Sequence, residues 1–114
     1  MAVLTYGEQL ILFRRRQGMT KTEMMKEIGC SRRKYNAEED RSDHSVLFTF
    51  KDFADWVPQW HNLYQFERCF IWRRRSKLTQ KQVAEKLGVS RETVNQMERG
   101  HITCRLLVEF WDEN

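Results

Sequence analysis

The stretch TQKQVAEKLGVSRETVNQMERG, residues 79–100, decides how the chain folds. Its first half places Val83, Ala84 and Leu87 on one stripe at helical spacing, and its second half does the same with Val94 and Met97. Each half opens on a hydroxyl suited to capping orphan backbone N–H groups. Thr79 has Gln82 three residues on as its capping-box partner, and Ser90 opens the second half. Between them stands Gly88, the residue type that ends a helix in a left-handed conformation at least cost. The halves are therefore read as two helices joined by a short corner, with Val89 plugging it and Gly100 ending the second helix. Upstream, Phe66, Phe70 and Ile71 form a stripe running into Arg73, Arg74 and Arg75, cations that suit the negative end of a helix dipole. Leu78 joins the inner face of the helix that follows.

The same arrangement occurs earlier in the chain. Residues 8–41 lie without a gap over residues 67–100, an offset of 59. Identical pairs are Glu8/Glu67, Arg14/Arg73, Arg15/Arg74, Arg16/Arg75, Thr20/Thr79, Gly29/Gly88, Ser31/Ser90, Arg32/Arg91, Asn36/Asn95 and Glu39/Glu98. Apolar sites match in kind, among them Leu12/Ile71, Met24/Val83 and Ile28/Leu87. A register shared by apolar sites, caps and the central glycine points to one supersecondary unit used twice. The first copy departs at Lys21 for Gln80, Met25 for Ala84 and Tyr35 for Val94, and no glycine ends its third helix. Met25 in place of a small residue predicts a wider helix crossing or altered packing there. Between the copies, Val46, Leu47, Phe50, Phe53, Ala54 and Val57 recur at helical spacing until Pro58. Near the C-terminus, Ile102, Leu106, Leu107 and Phe110 form a further stripe. The reading is all-α, with a first divergent unit over 1–43, a helical connector over 44–60 and a second unit with a C-terminal helix over 61–114.

The spacing of Thr79, Gln80, Ala84, Gly88, Val89, Ser90, Val94, Glu98 and Gly100 resembles the helix-turn-helix of the Cro/C1-type, or xenobiotic-response-element, repressor family. The resemblance is strong over 79–100 and extends weakly, through the duplication, to 8–41. It implies two tandem lambda-repressor-like bundles that bind operator DNA, generally as a dimer. It also implies that the small Ala84 lets two helices cross closely, and that Gln80 touches the DNA backbone.

Side-chain chemistry adds its own argument. With Val94 and Met97 inward, Arg91, Glu92, Thr93, Asn95 and Gln96 face outward. Arginine can bond guanine twice, and asparagine or glutamine can do so with adenine, so an exposed helix carrying them suits major-groove reading. Gln80, Ser90 and the Thr79 backbone are candidates to hold phosphates at helix N-termini. In the first copy the weaker candidates are Lys21, Ser31, Arg32, Arg33, Lys34 and Asn36, and this unit is expected either to contact DNA mainly through phosphates or to be partly repurposed for packing. Charge is segregated along the chain: eight Lys/Arg against three Asp/Glu over 1–37, two against six over 38–55, ten against four over 56–105, and none against three in the tail. Two basic blocks are the usual footprint of a nucleic-acid binder. For any single arginine triplet a solvated helix end is the ordinary reading; recurrence beside a helix-turn-helix favours phosphate contact.

Other classes are excluded on composition. Cys30, Cys69 and Cys104 are odd in number, far apart and without paired spacing, so they read as small buried residues in a reducing cytoplasm, with no disulfide framework or metal site. His44, His61 and His101 are scattered, and the lone Glu98 reads as a cap or an intra-bundle salt bridge. No nucleophilic triad, phosphate loop, cofactor motif or membrane-length apolar run is present. The expectation is a non-enzymatic transcriptional regulator, a small repressor of phage or mobile-element type, acting as a homodimer or an intrachain pseudo-dimer with recognition helices about 34 Å apart. Two competing expectations are a protein-interaction or inhibitor module anchored by its Trp and Phe residues, and an RNA-binding protein on the same fold.

Overall fold

The computed structural model describes residues 3–44 and 58–113. Seven α-helices and a short 3-10 turn at Trp60–Asn62 account for its regular structure, and the described residues contain no strand. The helix expected over Val46 to Val57 lies outside the described residues. The chain divides into two compact units, Met1–Asn62 and Leu63–Asn114.

In the first unit, α1 (Tyr6–Arg16) opens on a capping box: Glu8 N–H donates to Thr5 Oγ1 at 3.2 Å, and Thr5 N–H to Glu8 Oε1 at 2.9 Å. Thr20 and Glu23 repeat the device for α2 (Lys21–Ile28), which Gly29 ends at φ 74°, a conformation that disfavours any side chain. Ser31 then caps α3 (Arg32–Glu39). Leu10, Phe13, Met24 and Tyr35 make the core, with Tyr6, Met19, Met25, Ile28 and Cys30 packed around them. The start of α1 is tied to the end of α3 by Tyr6 N–H to Asp43 O at 2.7 Å and Gly7 N–H to Arg41 O at 3.1 Å. The approach is so close that a Cβ on Gly7 would stand 2.0 Å from the Glu39 carbonyl oxygen.

The second unit follows the same local plan. Its helices are α4 (Gln65–Arg75), α5 (Gln80–Leu87), α6 (Arg91–Glu98) and α7 (Arg105–Glu113). Thr79 and Gln82 exchange capping bonds of 3.1 and 2.8 Å, and Gly88 turns the corner at φ 73°. Cys69, Val83, Ala84, Val94, Met97 and Leu107 form the core, flanked by Leu78, Leu87, Val89 and one side of α7. Helix α4 packs against α6 and α7, and α5 packs against α6. The α5–α6 contact is more extensive than that of α2 with α3. The difference follows from Ala84, which is buried at the crossing, where the first unit has the longer, half-buried Met25.

Three expectations need correction. Phe66 and Phe70 are half-buried, and Cys69 enters the core beside the buried Ile71, because α4 leans on two neighbours and buries more than one stripe. Ile102 and Leu106 are exposed, at 40% and 45%. Helix α7 starts only at Arg105; Cys104 just before it and Leu107, Val108, Phe110 and Trp111 within it pack inward, while Leu106 is left on the far side. Of the three free cysteines only Cys69 is buried, Cys30 and Cys104 being half-buried at the core margins.

Candidate nucleic-acid interface

Helix α6 has two faces of different chemistry. Val94, Met97 and Glu98 are buried, while Arg91 and Glu92 are exposed and Thr93, Asn95 and Gln96 are partly so. Ser90 sets its start: Thr93 N–H donates to Ser90 Oγ at 3.1 Å, and the two hydroxyls lie 2.7 Å apart. Gln96 Nε2 donates to Glu92 Oε1 one turn back at 3.4 Å, and Arg91 has no side-chain partner among the described residues. The outward face thus offers a long cation, a carboxylate, a hydroxyl and two amides, a mixture of donors and acceptors.

A polar knot holds this helix against its neighbours. Glu98 is fully buried, and its carboxylate accepts Arg73 Nε at 2.6 Å and Arg73 Nη2 at 3.0 Å, a bidentate pair. Arg73 Nη1 also donates to the Leu78 carbonyl at 3.1 Å. Gln80 Nε2 donates to Glu98 Oε1 at 3.0 Å and to Asn95 Oδ1 at 3.3 Å. One carboxylate therefore joins α4, α5 and α6. Of the two roles expected of Glu98, a cap or an intra-bundle salt bridge, the salt bridge is what forms.

The first unit builds the counterpart knot from residues 59 positions earlier. Arg14 Nε donates to Glu39 Oε2 at 3.1 Å, and Arg14 Nη1 to the Met19 carbonyl at 3.3 Å. Lys21 Nζ stands 3.6 Å from Glu39 Oε1 and bonds Asn36 Oδ1 at 3.5 Å. Tyr35, where α6 has Val94, adds its hydroxyl as a further donor to Glu39. Burial pushes the Tyr35 phenol well above its ordinary range, and the bond to Glu39 pushes the same way. Lys21, Ser31, Arg32, Arg33, Lys34 and Asn36 are all exposed.

These placements refine the phosphate candidates. The Gln80 amide nitrogen is committed inward, and the Thr79 N–H is given to Gln82. Arg14 and Arg73, the first members of the two triplets, are ion-paired with Glu39 and Glu98. Sequence reasoning did not pair them, although Arg14/Arg73 and Glu39/Glu98 were both identical between copies and opposite in charge. It also passed over Gly7, whose close approach to α3 has no local signature.

A comparison with known families bears directly on this geometry. Residues 71–104 match the helix-turn-helix family model. The match runs from the second half of α4 to the residue before α7, so it takes in the glycine corner, α6 and both partners of the Arg73–Glu98 pair. The second unit thus carries a segment similar to that helix-turn-helix family, within which the Cro/C1-type resemblance at 79–100 falls. No curated protein and no solved structure matches the chain significantly. Among the described residues no group of His, Cys, Asp and Glu is arranged to hold a metal ion, and no helix is long and apolar enough to cross a membrane. Burial pushes the Cys69 thiol up to about 12, which keeps it protonated and unreactive at neutral pH.

Proposed function

We propose that the protein is a sequence-specific regulator that binds double-stranded operator DNA by laying α6 in the major groove, and that it acts as a small repressor of phage or mobile-element type. In this reading it is a binding protein without catalytic activity. The observation that carries it is the division of α6 within a matched helix-turn-helix: Val94, Met97 and Glu98 anchor the helix, and Arg91, Glu92, Thr93, Asn95 and Gln96 are left at or near the surface. An eight-residue helix held on one side by a buried ion pair keeps its other side in a fixed orientation, which base reading requires. Arg91, in the first turn and without a side-chain partner among the described residues, suits guanine; Asn95, its oxygen already accepting from Gln80, turns mainly donor hydrogens outward.

The two units and their counterpart knots support descent from a duplicated helix-turn-helix.

Selection of bound fragments from a random duplex pool, with the mass of the complex measured, tests the reading. A recovered consensus is expected, and Arg91→Ala should lower affinity by about 1–3 kcal/mol and relax preference at one base pair. Enrichment of no sequence, or a consensus indifferent to substitutions at Arg91, Asn95 and Gln96, would overturn it.

A further inference from the structure

The corresponding faces of α3 and α6 differ in one respect. At the positions where α6 carries Arg91, Glu92 and Thr93, α3 carries Arg32, Arg33 and Lys34. All three α3 side chains are exposed, and no carboxylate among the described residues pairs with any of them; Arg32 has only the Thr22 hydroxyl at 3.5 Å. Lys21 lies beside them, joined to Asn36. Thus the exposed first turn of α3 carries three positive charges and no acid, where that of α6 carries one of each sign.

Two features argue that this face meets an anion outside the unit. Cations in the first turn oppose the helix dipole and repel one another, so they weaken α3, and no carboxylate among the described residues offsets them. Helices α1, α2 and α4 follow the opposite rule, with Glu in the first turn and basic residues in the last. The second feature is donor chemistry. Arginine and lysine only donate, the oxygen of Asn36 is held by Lys21 as that of Asn95 is by Gln80, and Arg33, Lys34 and Ala37 stand where α6 has the acceptors Glu92, Thr93 and Gln96. A face that only donates can bond guanine but cannot pair with both edges of adenine or accept from cytosine, whereas every phosphate oxygen accepts.

We propose that Arg32, Arg33 and Lys34 of the first unit, with Lys21 beside them, grip the phosphate backbone of duplex DNA without reading its sequence, leaving discrimination to α6. The inference rests on the DNA-binding reading of α6. It assigns the two units separate tasks: one supplies affinity that depends on salt, the other supplies preference.

The test uses the full chain and two duplexes of equal length, one recovered by selection and one scrambled, titrated between 50 and 200 mM salt. The variants are Arg33→Ala with Lys34→Ala, and Arg33→Glu with Lys34→Thr, which copies the residues of α6. Removing two phosphate contacts should reduce the slope of log affinity against log salt by roughly 2, at about 0.9 per phosphate. Over that fourfold salt range the wild type should then lose about tenfold more affinity than the Ala variant. The loss at low salt should be equal on both duplexes, leaving their affinity ratio unchanged. Neither variant should melt earlier than the wild type, and Arg33→Glu should melt later, since an acid now faces the positive end of the dipole. Unchanged slope and affinity, with Arg91→Ala still altering the ratio, would overturn this inference and leave the α6 reading standing. A loss confined to the selected duplex would mean that α3 reads bases, which also overturns it. If the wild type held hairpin RNA more tightly than either duplex, both proposals would fall.

Discussion

Glu98→Gln is the change that most directly probes how α6 is held. The substitution keeps shape and removes charge. It leaves the Arg73 guanidinium, itself only 15% exposed, facing an amide whose nitrogen now meets donors from Arg73 or Gln80. Breaking one partner of a buried ion pair costs about 3–5 kcal/mol, because an uncompensated charge stays in the interior. A unit of about fifty residues, at roughly 0.05–0.15 kcal/mol per residue, has some 3–8 kcal/mol of stability in total. The substitution should therefore bring the second unit close to unfolding at 37 °C. Urea unfolding followed by far-ultraviolet circular dichroism, with amide exchange of the α6 backbone, measures the loss. A second variant separates charge from packing: Arg73→Met with Glu98→Leu replaces both partners by apolar groups of similar bulk and should cost less than Glu98→Gln alone. A cost below about 1 kcal/mol for Glu98→Gln, or a double variant less stable than the single one, would refute the reasoning.

Three further outcomes follow from the same geometry. Gly7→Ala should destabilise the first unit by about 3 kcal/mol or more, although alanine normally improves a helix by about 1 kcal/mol, because its Cβ meets the Glu39 carbonyl oxygen at 2.0 Å; thermal melting decides. Ala84→Met, which copies the first unit's residue into the tighter α5–α6 crossing, should cost about 1–3 kcal/mol by overpacking, and a neutral result would mean that the crossing can widen freely. The Tyr35 phenol is held above its ordinary value, so the folded first unit keeps that proton more tightly than the unfolded chain does. Its contribution should be full below about pH 10 and decline as pH rises further, and Tyr35→Phe should flatten the decline; equal pH slopes for the two proteins in denaturant titrations would count against it.

How much of this was legible in the sequence depends on the range of the interaction that encodes each feature. Helix starts at Thr20, Ser31, Thr79 and Ser90 and the corners at Gly29 and Gly88 were readable because capping and left-handed turns are decided within a few residues. The inward set Val83, Ala84, Val94 and Met97 was readable because a helix packed on one side repeats every three to four residues. That rule failed at α4, which has two neighbours, and at α7, whose phase depends on where the chain leaves the corner after Gly100. The outward set of α6 was legible by subtraction from its inward set. What its members touch was not. That Gln80 turns its amide onto Asn95 and Glu98 depends on the α5–α6 crossing, a tertiary fact with no local sequence sign.

The interactions that the sequence left hidden had a trace in the comparison of the two units, at positions where they differ together. In the first unit the contact between the start of the first helix and the end of the third pairs Gly7 with the backbone at Glu39 and Arg41. Fifty-nine residues on, the same place holds Phe66 against Gly100, and a Cβ on Gly100 would meet the Phe66 ring at 2.7 Å. Small against large has become large against small. Gly100 also sits at φ 76°, where a side chain is strained, whereas the first unit closes with Arg41 bound to Glu38 and Asp43 and lying 3.9 Å from the centre of the Tyr6 ring. The glycine that ends the third helix in one unit and the glycine that opens the first helix in the other therefore each relieve a close contact between those helices, from opposite sides. The first unit has no glycine at the end of its third helix, and at this packed contact the small residue is Gly7 instead.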